Sequence, residues 1–468
     1  MSLEVAGISV NPAVVAPLDP AFLPAALFNR QYRKLAAAAG PESLRLALER
    51  GDGSISRFDT GVLPLAAGHV EATTLYVERA VKFLLWQRGG WKLYVGGPEK
   101  IGQHIKSVYS PTGARKFDAD FMGIVYERPF EVTVTAANSV PPAKETTMPL
   151  GRHLDGCRVG FDLGASDRKA SAVVNGEAVF SEEIVWDPKS ATDPDYHYQG
   201  VLDSIRRAAA HMPRLDAVGG SAAGVYINNR ARVASLYRSV PRDRFAEKIA
   251  PMFLRIREEL GVPMEVVNDG EVTALAGSMS LGDNPVLGIA LGSSQAAGYV
   301  NRDGNITGWL NELAFAPVDY RVNGPQDEWS GDCVGAQYFS QQATNRVAVS
   351  AGMQFPEKMG LPERLVELQK KMAAGDALAA KVYETIGAYV GYGVAHYADF
   401  YELKHVLILG RVTTGKGGDI ILSQAQEVLK KDFPELAGKA FIALPDEKSR
   451  RVGQSIAAAS LPAVKGEK

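Results

Sequence analysis

Apolar positions recur along this chain with two periods, and the switching between them predicts most of its elements. After residue 156 short β-branched runs alternate with Ala-rich stretches whose apolar residues fall at helical spacing. The helical stretches cover 198–211, 245–260, 268–278, 361–374, 377–400 and 419–431. Strands are predicted at 217–219, 264–267, 286–291, 296–300 and 406–409. Such alternation points to an α/β fold, with sheets covered by helices. The first third reads less regularly. Residues 1–20, rich in Pro, Ala and Val, predict an extended arm. Over 24–50, Leu35, Leu44, Leu46 and Leu48 interleaved with Arg and Glu predict a helix. The turn Gly51-Asp52-Gly53-Ser54 leads to a strand at 55–58. A helix over 70–86, a strand over 91–95, a helix near 101–108 and an alternating strand over 130–135 follow. The two adjacent prolines in the 139–145 stretch make it the best linker candidate.

Composition narrows the function classes. The 468 residues, 46% hydrophobic and 22% charged, suit a soluble globular protein of two or three domains. Lys plus Arg (51) nearly balances Asp plus Glu (53), so there is no electrostatic footprint for nucleic acid or an anionic membrane. No run of about 18 apolar residues predicts a membrane span, and the N-terminus shows no signal-peptide pattern. The two cysteines, Cys157 and Cys333, form no Cys-x-x-Cys pair, which fits a reducing cytoplasm and leaves almost no material for a structural zinc site or a disulfide framework.

Five segments carry candidate chemistry. In 159–174, a strand bearing Asp162 enters a turn with Gly164 and Ser166, and a second strand follows from about Lys169. Small residues in such a turn leave backbone N–H groups and hydroxyls to face an anion. A carboxylate beside a phosphate requires a bridging cation, so the pattern suggests a nucleotide with Mg²⁺. The same hairpin is also a common structural element. A second one, 288–300, places Gly292, Ser293 and Ser294 in its turn. The 218–225 strand enters a loop of small residues with Ser221 and Gly224. At 265–277 a strand runs directly into an Ala-rich helix, with Asn268 and Asp269 at the junction. Asn or Asp there caps a helix, and Asp269 can also accept the proton of an attacking hydroxyl. The strand at 406–409 enters a Gly/Thr loop, with Gly410 and Thr413, that opens a helix suited to phosphate or adenosine.

Taken together, the order and spacing of these segments resemble the actin-like ATPase superfamily. Within it, the nearest resemblance is to the ROK family (repressors, open reading frames, sugar kinases). Asn268-Asp269-Gly270-Glu271-Val272-Thr273-Ala274-Leu275 resembles that family's Asn-Asp-Ala-Asn-x-x-Ala-Leu. Ser221-Ala222-Ala223-Gly224-Val225 resembles its Ser-x-Ala-Gly-x-Val, and Asn311-Glu312-Leu313-Ala314-Phe315 stands where it has Gly-Glu-Ile-Gly-His. The resemblance implies a two-lobed actin-like ATPase (ribonuclease H-like) core with an N-terminal α/β extension. The implied division is an accessory region at 1–150, a first lobe at 151–280 rejoined by 450–468, and a second lobe at 281–449.

In function, the resemblance implies an ATP-dependent sugar kinase acting on a hexose or related sugar. Asp269 would be the general base, and Asn268, Glu312, Ser221 and Gly224 would face the sugar. Asp162 would orient Mg²⁺ through water. Gly164, Ser166, Lys169, Gly292, Ser293 and Ser294 would face phosphates, and Gly410 with Thr413 the adenosine. A homodimer is also implied, since family members often dimerise. Two departures support a second reading, a non-catalytic sugar- or nucleotide-binding sensor or scaffold. The zinc segment is absent, with Phe315 in place of its His and Cys333 its one remaining cysteine. The second turn reads Gly-Ser-Ser-Gln-Ala-Ala-Gly, in which Gln295 and the alanines are expected to crowd the backbone. Lys169 also reads as an ordinary surface charge.

Overall fold

A computed structural model describes residues 2–65, 68–145, 150–329, 331–444 and 447–464. The chain is α/β and two-lobed. It forms two compact units, each assembled from separate stretches of sequence: Met1–Thr146, Ile289–Ala296 and Trp309–Leu444 in the first, and Thr147–Gly288, Ala297–Gly308 and Pro445–Lys468 in the second.

The first unit contains a four-stranded sheet in the order Ile55–Val62, Glu42–Glu49, Lys92–Gly96, Glu131–Thr135. Its first two pairings are antiparallel and its last is parallel. Here the expected helix over 24–50 is corrected. A helix occupies only Ala25–Ala39, ends at Gly40 in the left-handed region and gives way to a strand after Pro41. Leu44, Leu46 and Leu48 are each buried, at the two-residue spacing of a strand rather than the three-to-four spacing of a helix. The predicted arm begins as a small hairpin, Leu3–Val5 with Ile8–Val10. It is then fastened by Ala13 N–H to Asp432 and by Arg321 to Asp19. Lys116–Tyr126 is a further helix that the sequence reading did not pick out.

A second four-stranded sheet has the order Gln295–Val300, Val286–Leu291, His405–Leu409, Phe441–Ala443. Beside it lies the helix Ala377–Tyr397, buried continuously from Thr385 onward. A Cβ at Gly387 or Gly391 would come within 2.6 Å of the Lys416–Asp432 helix, so the two helices pack at glycine distance.

The second unit is built on a five-stranded sheet in the order Met264–Asn268, Ala217–Ala222, Cys157–Leu163, Asp167–Val174, Glu177–Val185. The first three strands are parallel and the rest form an antiparallel meander. Alternation along Cys157–Leu163 divides its labour between faces. Val159, Phe161 and Leu163 join a core with Val201, Leu202 and Ile205 of the helix Pro194–Ala209. Arg158, Gly160 and Asp162 fall on the alternate positions. A Cβ at Gly160 would stand 2.1 Å from Ser455 O, and one at Gly219 1.6 Å from Ala458 O. The helix Glu447–Ala459 therefore rests directly on the sheet backbone, and the Arg158 guanidinium donates to Pro462 O just beyond it.

The single helix expected over 245–260 is also corrected. A wide turn at Phe245–Ile249 precedes Pro251, and a regular helix runs only over Met252–Leu260. Proline supplies no N–H and disturbs the preceding turn. Among the described residues, no helix is long and apolar enough to cross a membrane.

Candidate functional site

In the second unit, strand register brings the acidic and hydroxyl groups together. Asp162 lies beside Ser221 in the parallel pairing and opposite Lys169 in the antiparallel one. The Ser221 hydroxyl donates to Asp162 Oδ1 at 2.6 Å. One strand further, Ala222 is in register with Asn268, the last residue before the helix Asp269–Leu281. Asn268 is the N-cap: its Oδ1 accepts from Gly270 N–H at 2.7 Å, and its Nδ2 donates to Gly224 O at 2.8 Å. Both ends of this amide thus hold the loop to the helix, a structural duty alongside the sugar role expected of it. Gly224 has φ +126°, and a Cβ there would strike Ala234 Cβ at 2.5 Å, so the backbone path needs glycine.

Asp269 follows directly and is half-buried, as is Asp162. Burial, together with the charge of Asp162, pushes the Asp269 carboxyl up to about 6, against the hydrogen bond from Gly270 N–H. Burial raises Asp162 as well, opposed by the Ser221 hydroxyl and the Lys169 charge. For Lys169, burial alone would lower the ammonium. Its hydrogen bond to Asp167 and the charge of Asp162 outweigh that effect and hold it up. The Lys169 Nζ sits 3.0 Å from Asp167 Oδ1. The Gly164 turn is closed by its own N–H donating to Asp167 O at 2.9 Å, and Ala165 and Ser166 are exposed at the tip. The Ser166 hydroxyl donates to Asp167 Oδ2.

In the first unit the Gly292 turn closes in a similar way, with Gly292 N–H donating to Ser294 O at 3.0 Å and Ser293 exposed. The expectation that Gln295 crowds this turn is corrected. Its side chain is buried, donating to the Tyr397 hydroxyl at 2.9 Å and lying over Gly335. Because alternate strand positions face opposite ways, the glutamine occupies the core. Gly410, at φ +101°, has no room for a Cβ, which would lie 2.5 Å from Leu291 O. Thr413 is buried and donates its hydroxyl to Gly410 O at 2.9 Å. Next to this loop a cavity of about 390 Å³ is lined by Met359, Pro362, Val366, Gln369, Arg411 and Thr414, among others.

Glu312, also in the first unit, is half-buried, and its backbone N–H donates to Trp86 O at 3.0 Å. Phe315, three residues on, stacks on Trp86 with ring centroids 4.3 Å apart. Cys333 is buried, its thiol pushed up to about 12 by burial.

Among the described residues, no group of three or more His, Cys, Asp or Glu is gathered to hold a metal ion. The carboxylates of the second unit nevertheless suit a hydrated cation. Asp162 and Asp269 are both half-buried acids raised by burial, and Lys169, the cation in register with Asp162, is shared with Asp167. A divalent cation near Asp162 would relieve that cost.

Two features escaped the sequence reading. Tyr226 is held well above its ordinary pKa by burial, by Tyr237 and by the charge of Asp269, and its hydroxyl donates to Ala223 O at 3.2 Å. Gly270 and Gly298 meet backbone to backbone: a Cβ on Gly298 would lie 2.0 Å from Gly270 O. The helix that starts at Asp269 is thereby seated on the backbone at Ala297 and Gly298 within the second unit. Paired glycines 28 positions apart give no local signal that could have announced this contact.

No protein-family profile matches the chain, and no curated protein sequence matches it. Solved structures do. A ROK hexokinase from Thermus thermophilus aligns at TM-score 0.51 and 18% identity, over 64% of this chain and 97% of the other. A ROK family glucokinase from Streptomyces griseus, solved with glucose and AMPPNP, aligns at 0.50 and 17%, over 65% and 99%. A ROK family transcriptional regulator, a homologue of the E. coli MLC protein, also aligns at 0.50 and 17%, over 65% and 78%. At these identities the likeness is one of fold: about two thirds of this chain has the fold shared by ROK sugar kinases and a ROK regulator.

Proposed function

We propose that this protein is an ATP-dependent sugar kinase that transfers the γ-phosphoryl group to a hydroxyl of a hexose or related sugar. The observation that carries this reading is Asp269, half-buried at a helix N-terminus with its carboxyl near 6. A base works best when its pKa lies just below the working pH. As the sugar oxygen attacks the γ-phosphorus, Asp269 takes the hydroxyl proton, the bond from the γ-phosphorus to the bridging oxygen breaks, and ADP leaves. Asn268, Ser221, Gly224 and Glu312 would face the sugar. The turns at Gly164, Ser166 and Lys169 and at Gly292–Ser294 would face phosphates, and Gly410 with Thr413 the adenosine. Asp162 would hold Mg²⁺ through water, and the ion would supply charge neutralisation on the phosphates.

The competing reading is a sugar- or nucleotide-binding sensor without turnover. It is favoured by Phe315, which stacks into an aromatic cluster where the ROK motif has a His, and by the regulator among the structures of the same fold. Coupled ADP release over a panel of sugars separates the two, with Asp269→Asn as control. Sugar-dependent turnover that the substitution abolishes supports the kinase. Nucleotide or sugar binding by calorimetry without turnover supports the sensor.

A further inference from the structure

Residues 1–146 have no assigned role in the proposed reaction, yet they hold the segment that carries Glu312. The helix Val70–Arg88 ends with carbonyls that lack partners within the helix. Two of them are taken by this segment: Asn311 N–H donates to Gln87 O at 2.9 Å and Glu312 N–H to Trp86 O at 3.0 Å. Asn311 itself is buried with φ +51°, a left-handed conformation uncommon outside glycine, and its Oδ1 accepts from the Tyr401 hydroxyl at 2.8 Å.

Further along, Phe315 stacks on Trp86, and Trp329 stacks on Phe117 with centroids 5.7 Å apart. The Trp86 ring is fixed in turn, since its Nε1 donates to Asp118, which forms a buried ion pair with Lys82 at 2.8 Å. The far end of the segment is clamped by charge. Asp332 accepts from Arg79 and, at 2.8 Å, from Arg115, and Arg115 also pairs with Glu78. Burial works against the Asp332 charge, but the two arginines outweigh it and hold the carboxyl well below the usual range.

We propose that the helices Val70–Arg88 and Lys116–Tyr126 are the positioning frame for Glu312, so that Asp332, through Arg79 and Arg115, sets sugar affinity without touching sugar. This inference rests on the kinase reading for the role of Glu312, while the frame itself is testable without it. Two stacked rings, two backbone hydrogen bonds and a four-residue ion cluster attach the described residues of 309–333 to a region distant in sequence. Asp332→Asn removes the charge of the clamp and nearly preserves its shape, leaving the arginines with Glu78.

The test compares the full-length protein with Asp332→Asn and Asp332→Glu, the latter keeping the charge. Hydrogen exchange is followed over peptides from 309–333, with the strand Cys157–Leu163 as the internal control. The expected result is exchange at least about tenfold faster over 309–333 in Asp332→Asn, an unchanged control strand, and partial recovery in Asp332→Glu. With whichever sugar of the panel is turned over, the sugar KM rises about tenfold, while kcat and the ATP KM stay within about threefold. Unchanged exchange over 309–333 overturns the frame. Faster exchange with an unchanged sugar KM overturns its link to affinity. If no sugar is turned over, the kinase reading fails, and exchange alone decides whether the frame exists.

Discussion

Asp269→Asn should make the protein more stable at neutral and alkaline pH while removing its proposed chemistry. The wild-type carboxyl stands at about 6 in the folded chain against 3.8 for an unperturbed one, raised first by burial and then by the charge of Asp162. A folded-state value above the unfolded one favours the protonated form. The folded state therefore suffers no handicap below about pH 3.8, loses stability as pH rises toward 6, and carries the full loss above it. At about 1.4 kcal/mol per pH unit, that interval sets a ceiling of about 3 kcal/mol. Because Asp269 is half-buried, solvent screening reduces the working figure to about 1–2 kcal/mol. Asparagine is nearly isosteric, keeps an oxygen for the hydrogen bond that Gly270 N–H makes at 3.0 Å, and carries no charge to repel Asp162. Urea unfolding near pH 8 should show Asp269→Asn more stable than wild type by that amount. Near pH 4.5 the gain should fall to about a third. A substitution that destabilises near pH 8, or has the same effect at both pH values, refutes the claim that a costly buried charge sits at this helix start.

Other consequences follow from contacts around the same elements. Ser221→Ala removes a 2.6 Å hydrogen bond to the Asp162 carboxylate and should cost about 1.5–3 kcal/mol in urea unfolding near pH 7. Ser221→Thr should recover much of it, and no loss in the alanine variant would mean that the hydroxyl does not support the charge. Gly298→Ala places a methyl 2.0 Å from Gly270 O and should cost more than about 2 kcal/mol, with sugar-dependent turnover falling alongside. A neutral result would contradict the close seating of the Asp269–Leu281 helix. A fragment beginning at residue 150 lacks Trp86 and the carbonyls that bind Asn311 and Glu312. It should fail to protect 309–333 in hydrogen exchange, and native-like protection there would contradict the integral place of the N-terminal region.

Much of the second unit was legible because its signals are local. The run from Glu265 to Leu275 carries a strand, a cap and a helix start in one short sentence of sequence, and Asn268 and Asp269 take the expected places. The helix expected over 24–50 failed through a wrong period. Leu44, Leu46 and Leu48 recur every two residues, and Gly40-Pro41 marks the stop. The direction of Gln295 depends on strand register, which turns it toward Tyr397 and away from the turn, and register has no local signature. The Gly270–Gly298 contact and the grip of Trp86, Arg79 and Arg115 on 311–332 were invisible. They join positions far apart in sequence, and no single-chain period encodes such pairings. The ROK resemblance rested on short motifs, and the fold they implied is the one the solved structures share at 17–18% identity.

The most direct test of the central claim is the rate of sugar-dependent ADP release by the full-length protein, measured with Mg²⁺ and saturating ATP for wild type and Asp269→Asn. The account predicts turnover by wild type with at least one hexose or related sugar, rising with pH through about 6, and a loss of at least about 10²-fold in kcat for Asp269→Asn. Wild-type turnover in Asp269→Asn, or a rate that does not rise through that range, contradicts it.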